Sequence, residues 1–486
     1  MVAEFLSWRH SVRYRFLSRS LLLKWLAALA VAGCGGKGDD SPRPLKVESV
    51  SPIGASFVER FEAIATDGNA GDQIYNHWGG NQPRITRHAD GTIRVLYLKT
   101  SGGLVNWRLM KRAPATASWT EEATGTSTDD VVLVRDPVSD LAHVVAYWQS
   151  VPTVYSSPTF TPGTTIPGSW QELPPTSRHY SAVGIGADGT LCYKASRELP
   201  TPVPTSNTQT QYICGRHDGL STWTWEAQQT MSIGLRYAYD YMFPGASGDA
   251  NRLVATAQSD LYKTAAGYPN SANNYIFNGI RLYSTGAGDT ASWSQSELVV
   301  PYSAPPSTTS VPTARQKDGF IDSAGRVFST YFVEPSAGAS TPARGHYTVM
   351  ADSAGNVLFG TRWASVPTFG GTRIFEDGKN RLWLLWTGQG SLFTYVYLYP
   401  IIEDPVTHVF SLGAMTDLST AFWPYSINGM PMLAVPRGGQ LIDNVVDATF
   451  AASDTVYVSG SPLGPEYPNG KADHQRIFYF RIHLPD

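Results

Sequence analysis

The sequence predicts an all-β protein, a seven-bladed β-propeller closed by an N-terminal strand, on three observations. Short apolar runs recur along the chain, while helical periodicity is scarce. Of 486 residues, 45 are Gly and 33 are Pro, and 12% are aromatic, which favours strands and turns. Seven units repeat one pattern of apolar run, tight turn, second run, loop, third run and often a Trp. Stacked blades explain this spacing better than a β-sandwich pair or a β-helix, because one blade cannot bury both of its faces.

The seven units follow one another through the chain. In order they contain "PRITRHADGTIRVLYL", "VVLVRDPVSDLAHVVAYW", "HYSAVGIGADGTLCYKA", "RYAYDYMFPG", "DGFIDSAGRVFSTYFV", "GTRIFEDGKNRLWLLW" and "LIDNVVDATFAASDTVYV". Several units end in a Trp, such as Trp119 and Trp170, whose large ring is expected to pack between adjacent blades. The last unit has three clear runs, and an unassigned run, "ASFVERFEAIA" at 55–65, precedes the first unit. We therefore expect the N-terminal run to supply the outer strand of the last blade.

The N-terminus has the features of an export signal. An Arg-rich start and the apolar "LLLKWLAALAVAG" precede Cys34, and this junction resembles a bacterial lipobox. The sequence thus predicts a lipoprotein signal peptide over 1–33, a flexible tether over 34–54 and a propeller catalytic domain over 55–486. We expect a monomer, secreted or held at the outer membrane of a Gram-negative bacterium by a lipid on Cys34. Ordinary secretion is the alternative.

The net charge limits the classes of partner to expect, and the cysteine content limits the thiol states to expect. A net charge of −3 gives no general basic surface, so nucleic acid is not an expected partner, and membrane contact is expected only through the lipid anchor. Cys192 and Cys214 lie in two successive strand-like runs. In an oxidising compartment they can form a disulfide, with two free buried thiols as the alternative.

The candidate site follows from the fold. In a propeller, the first residues of the innermost strands converge at one end of the central channel, here called the rim. The candidate rim residues are His77, Trp78, Arg178, His179, Tyr180, Arg236, Tyr237, Tyr239, Tyr241, Arg315 and Lys317. Guanidinium groups pair with carboxylates and aromatic rings stack on sugar faces. This set therefore predicts an anionic polysaccharide as ligand.

The chemistry that such a set supports is β-elimination from a uronic acid. The proton at C5 becomes acidic once a cation neutralises the carboxylate, and a base and an acid complete the reaction. We assign His179 as the base, Tyr239 or Tyr237 as the acid and Arg236 as the carboxylate clamp, although the base and acid can exchange. The other rim residues are predicted to bind substrate. The alternation in "RYAYDYMF" suggests that Tyr237, Tyr239 and Tyr241 share one strand face.

The pattern resembles the ulvan lyases of polysaccharide lyase families 24 and 25. "HYSAVGIGADGTLCYKASREL" keeps the first His and the Asp-Gly turn of those families, with Lys194 and Arg197 where a second His is expected. "RYAYDYMFPG" resembles the Tyr-rich strand start that carries their catalytic Tyr. The resemblance implies a lyase acting on an ulvan-like, sulfated uronate polymer. The turn and Trp of "RHDGLSTW" also resemble the neuraminidase-type BNR repeat.

Two other functions stay open at this point. A non-catalytic surface glycan-binding propeller needs only the aromatic and Arg residues. A sialidase-like hydrolase needs an Arg triad and a Tyr/Glu pair, and it usually has an Arg-Ile-Pro motif early in the chain, which "PRIT" at 83–86 matches imperfectly. No cofactor is required, and zinc-type Cys/His spacing is missing from the sequence. Asp129 and Asp130 can contribute to a structural Ca²⁺ site, which the sequence leaves open. Such a site needs more oxygen ligands than these two residues supply.

Overall fold

The structure is a computed structural model, and it describes about two thirds of the chain in separate segments. The described residues are 58–66, 73–75, 82–101, 104–114, 116, 118–127, 131–148, 151–170, 180–198, 208–233, 236–245, 253–262, 275–286, 289–299, 313–335, 343–367, 370–389, 394–422, 426–434, 444–453 and 475–484. They contain 31 strands, no α-helix and one short 3-10 turn at Ser419–Phe422. No described segment forms a helix with the length and hydropathy of a membrane span. The segments predicted as signal peptide and tether, with Cys34, lie outside the described residues.

The strands form seven antiparallel sheets. The first sheet contains β2–β6, at Gln73–Tyr75, Ile85–Arg87, Ile93–Ser101, Leu104–Arg112 and Thr120–Thr126. The second contains β7–β10, at Val131–Arg135, Ala142–Trp148, Val151–Ser156 and Thr164–Thr165. The third contains β11–β15, at Tyr180–Ile185, Thr190–Glu198, Thr208–His217, Trp223–Trp225 and Gln229–Ile233. The fourth contains β16–β19, at Arg236–Pro244, Leu253–Tyr262, Tyr275–Gly286 and Asp289–Val299.

The remaining three sheets continue this order. The fifth contains β20–β23, at Thr313–Ile321, Val327–Glu334, Gly345–Ala351 and Val357–Arg362. The sixth contains β24–β28, at Gly371–Glu376, Leu382–Gln389, Thr394–Glu403, Phe410–Leu412 and Thr416–Asp417. The seventh contains β29–β31, at Ser426–Leu433, Val445–Ser453 and Gln475–His483, together with β1 at Val58–Thr66. The seven units predicted from the sequence thus correspond to seven sheets, and the all-β propeller prediction is confirmed.

The core is divided among the spaces between the sheets. Among the described residues, seven buried apolar clusters occur. Each combines residues of two successive sheets, and one of them joins the seventh sheet to the first. First strands of neighbouring sheets, such as β11 and β16 or β20 and β24, contact each other. These first strands therefore line the centre of the ring, and each sheet buries both faces against its neighbours, as the repeat requires.

Tryptophans at the ends of the units fill the space between sheets, as predicted. The ring of Trp119 lies 5.4 Å from that of Tyr479, between the first and seventh sheets. The ring of Trp170 lies 4.9 Å from that of Tyr193, between the second and third. Edge-to-face contacts at these centroid distances are typical of aromatic packing.

Two covalent or topological features hold individual sheets together. β1 pairs antiparallel with β31, so the seventh sheet combines strands from both ends of the chain. In the third sheet, Cys192 of β12 and Cys214 of β13 occupy directly paired positions and form a disulfide. The sequence left open a disulfide or two free thiols, and the structure has the disulfide.

Candidate active site

The structure describes only part of the rim predicted from the sequence. Four predicted residues lie outside the described segments: His77, Trp78, Arg178 and His179. Asp129 and Asp130 also lie outside them. For Tyr180, Arg236 and Tyr237 the structure describes the backbone, at the starts of β11 and β16. The roles assigned to these residues therefore stay predictions.

Tyr239 lies in a β-bulge of the innermost strand of the fourth sheet. Ala238 pairs with Gln258 and Tyr241 pairs with Thr256, so β16 has one residue more than β17 over this stretch. Tyr239 has a φ of 58°, in the left-handed region that non-glycine residues rarely adopt. Such a conformation costs about 1–3 kcal/mol and is found preferentially at functional sites. The bulge thus turns the side chain of the predicted acid away from the regular alternation.

A fully buried ion pair lies next to Tyr239. The Lys194 Nζ of β12 donates to the Asp240 carboxylate of β16, and both side chains are 0% exposed. Asp240 Oδ1 has no hydrogen-bond partner in the described part of the chain. Because burying a charge is unfavourable unless it is paired, this contact joins the third and fourth sheets at the bulge. Lys194 is one of the two residues, with Arg197, found where the resemblance noted from the sequence leads us to expect a second His.

Tyr241 packs between the fourth and fifth sheets. Its ring is 1% exposed, and its hydroxyl donates to the Lys317 carbonyl at 2.9 Å. This burial corrects the substrate-binding role predicted for Tyr241. The common face predicted for the three tyrosines is also wrong, because the bulge shifts the register by one residue between positions 237 and 241.

The innermost strand of the fifth sheet carries a second bulge, at Lys317. Gln316 pairs with Tyr331 and Asp318 with Thr330, which leaves Lys317 as the extra residue. Arg315 lies two residues before it on the same strand. Burial, and then the charge of Arg315, lower the pKa of Lys317 to about 8. Arg315 and Lys317, both predicted to bind substrate, thus lie two residues apart on β20, the strand that Tyr241 contacts.

Arg373 links the inner strands of several sheets. Its Nη1 donates to Asp318 Oδ1 at 2.9 Å and to the Tyr241 hydroxyl at 3.4 Å, while its Nε donates to the Pro431 carbonyl at 3.0 Å. Burial opposes its charge, but the charges and hydrogen bonds of Asp318 and Tyr241 together outweigh burial, so the pKa of Arg373 is raised. A buried guanidinium with this many acceptors fixes the spacing of β16, β20, β24 and β29.

The two bulges place a phenol, on Tyr239, and an ammonium group, on Lys317, on neighbouring inner strands.

No protein-family model matches the sequence, and no curated protein matches it. Among solved structures, the chain is similar to a PL25 ulvan lyase described as a new family of polysaccharide lyase, with a TM-score of 0.50 and 10% identity over 80% of this chain and 92% of that one. The chain shares its propeller fold.

Two further solved structures have more distant similarity. One is the polysaccharide lyase Uly1, with a TM-score of 0.49 and 10% identity, covering 86% of this chain and 94% of that one. Another is the NanB sialidase from Streptococcus pneumoniae, with a TM-score of 0.43 and 11% identity, covering 87% of this chain and 70% of that one. At these identities the likeness concerns the fold alone.

The site contains residues that sequence reasoning missed. The sequence pattern did not point to Asp240, and it pointed to Lys194 only as a departure from a family pattern. A charged residue between the aromatic residues of "YAYDYMF" was an available signal, because a carboxylate inside a strand needs a buried partner. In the described segments, no three His, Cys, Asp or Glu side chains are grouped so as to hold a metal ion.

Proposed function

We propose that this protein is a polysaccharide lyase that cleaves a uronate-containing, ulvan-like polymer by β-elimination. The observation that carries the proposal is the pair of adjacent bulges, which present a phenol at Tyr239 and cations at Arg315 and Lys317 on neighbouring inner strands. Bulges commonly redirect side chains beside active sites. The fold shared with an ulvan lyase is compatible with this function.

In the proposed reaction, each group has a separate task. A guanidinium, Arg236 or Arg315, pairs with the uronate carboxylate and makes the C5 proton more acidic. A base, for which His179 remains our proposal, removes that proton, and its electrons form the C4–C5 double bond as the C4–O bond breaks. The Tyr239 phenol then gives its proton to the leaving glycosidic oxygen. The strained φ of Tyr239 supports such a preorganised role.

The test is to incubate the protein with a panel of uronate polymers, ulvan included, and to follow the ultraviolet absorbance of the unsaturated product. We expect Tyr239→Phe to lower kcat by about 100-fold or more, since it loses the proton donor. Tyr155→Phe is the matched control, because Tyr155 packs against Trp107 between the first two sheets. Equal activity in the two variants would exclude Tyr239 as the acid. Binding of a polymer without any product would instead identify a glycan-binding propeller.

A further inference from the structure

Three aromatic rings form a continuous row on one face of the sixth sheet. Tyr395 and Tyr397 alternate along β26, so their side chains share a face, and Tyr397 is directly paired with Trp386 of β25. The Trp386 and Tyr397 rings are stacked with centroids 5.1 Å apart, and the Tyr397 and Tyr395 centroids are 6.0 Å apart. On the other side of β26, Asp417 of β28 is directly paired with Tyr397. We call Trp386, Tyr395, Tyr397 and Asp417 the sixth-sheet platform.

The outer end of this row is open to solvent. Tyr395 is 37% exposed, and no other Phe, Tyr or Trp side chain that the structure describes is as exposed. The residue paired with it on β25 is Gly388, which has no side chain to cover the ring. Tyr397 is half-buried and Asp417 is exposed. An aromatic ring and a carboxylate are therefore accessible at the same place on the surface.

The inner end of the row lies beside the rim. Gly370 comes directly before the innermost strand β24, and a Cβ there would lie 2.9 Å from Trp386 Cε2. Trp386 Nε1, which is bonded to that carbon, is buried without a hydrogen-bond partner in the described segments, so its N–H is left for a bound molecule. Neighbouring strands are about 4.8 Å apart, so β26 lies about 10 Å outward from β24. The row thus extends from the rim across the sixth sheet.

The charge of the sixth-sheet platform favours an uncharged ligand. Asp417 Oδ1 accepts from the Ser419 backbone N–H at 2.8 Å, and a carboxylate can accept further hydrogen bonds. Burial, and then the charge of Asp417, raise the pKa of Tyr397, so its phenol stays protonated. Sugar hydroxyls donate to carboxylates, and sugar C–H groups contact the negative face of an aromatic ring. A uronate or a sulfate ester would instead be repelled by Asp417.

We propose that the sixth-sheet platform binds an uncharged sugar unit of the polysaccharide. Tyr395 stacks on the apolar face of this unit, and Asp417 accepts hydrogen bonds from its hydroxyl groups. The proposal rests on the proposed function for the identity of the ligand as a polysaccharide, but it does not require the elimination chemistry. It adds one property to that polymer, because uncharged units must then occur between the uronates.

Calorimetry with two oligosaccharides of equal length tests the proposal. One alternates uronate units with uncharged units, and the other contains uronate units alone. We expect Tyr395→Ala to weaken binding of the alternating oligosaccharide about tenfold and to leave binding of the oligouronate unchanged, because the uncharged unit loses its stacking partner. Tyr395→Phe keeps the ring and should retain the affinity. Tyr347→Ala, which removes a half-buried ring stacked on Tyr331 in the fifth sheet, is the matched control.

The variant Asp417→Asn tests the charge separately. It should lower the preference for the alternating oligosaccharide over the oligouronate about fivefold, because it removes the repulsion of a carboxylate ligand. An unchanged preference would overturn the role of Asp417.

The remaining outcomes separate the platform from the lyase. Equal affinities of Tyr395→Ala and Tyr347→Ala for the alternating oligosaccharide would overturn the proposal. An equal loss for both oligosaccharides in Tyr395→Ala would overturn the preference for an uncharged unit. Weaker binding in Tyr395→Ala without any unsaturated product from the unsubstituted protein would keep the platform and remove the lyase. Product formation with unchanged affinity in Tyr395→Ala would keep the lyase alone.

Discussion

At the scale of single residues, two fully buried histidines make folding depend on pH. His143 is 0% exposed, its Nδ1 is 2.9 Å from Ser156 Oγ, and its ring packs edge-on against Trp223. Burial is the main reason that the pKa of His143, like that of His346, is lowered to about 3 from the usual 6.5. Both rings must therefore be neutral in the folded state.

The folded protein should lose stability in acid through these two rings. Their pKa values are lower in the folded than in the unfolded chain, so their contribution is complete above pH 6.5 and is lost as the pH falls from 6.5 towards 3. Within this window the pair contributes a slope of about 2.7 kcal/mol per pH unit to the free energy of unfolding. Urea unfolding at several pH values measures it. His143→Gln should halve this contribution. An unchanged slope in His143→Gln would contradict the assignment.

At the scale of strands, the sequence predicted the order of the elements better than their irregularities. His143 lies among the apolar residues of "LAHVVAYW", a pattern typical of a strand inside a sheet, and its side chain is fully buried there. The same reasoning failed for β16, because a bulge adds one residue without a glycine to mark it. The bulge is stabilised by Lys194, which is 46 residues from Asp240 in the chain, so no local pattern could reveal it.

The ion pair at the bulge should be essential for stability. Lys194→Met leaves the Asp240 carboxylate buried without its cation, and we expect a loss of about 3–5 kcal/mol in the free energy of unfolding. Arg108→Met, which breaks the half-exposed pair with Glu121, should cost about 1 kcal/mol or less.

A double variant, Lys194→Met with Asp240→Leu, separates pairing from packing. If the unpaired carboxylate causes the loss, the double variant should recover most of the stability, because apolar residues can replace a buried pair. It should not recover the proposed lyase activity if the pair holds Tyr239 at its positive φ. A double variant no more stable than Lys194→Met would mean that the ion pair does not determine stability here.

At the scale of the whole molecule, the repeat predicted seven sheets and the packing of Trp119 and Trp170 because each sheet meets the same requirement. The rim is less regular, since each sheet contributes different residues there. Burial of Tyr241 and the contacts of Arg373 depend on which inner strands become neighbours. That information arises only when distant units are assembled in three dimensions.

Contacts between the seventh and first sheets join the two ends of the propeller. Glu62, on the N-terminal strand β1, accepts hydrogen bonds from Arg112 Nε at 3.0 Å and from Trp119 Nε1 at 2.9 Å. Arg112 ends β5 of the first sheet, and Trp119 lies in the loop before β6. The Arg112 side chain is 5% exposed, so Glu62→Ala leaves a guanidinium buried without its carboxylate. We expect a loss of about 1.5–3 kcal/mol in the free energy of unfolding, measured in urea. Glu59→Ala on the same strand removes an exposed pair with Arg60 and should cost about 0.5 kcal/mol or less. Equal losses in the two variants would show that this junction does not depend on Glu62.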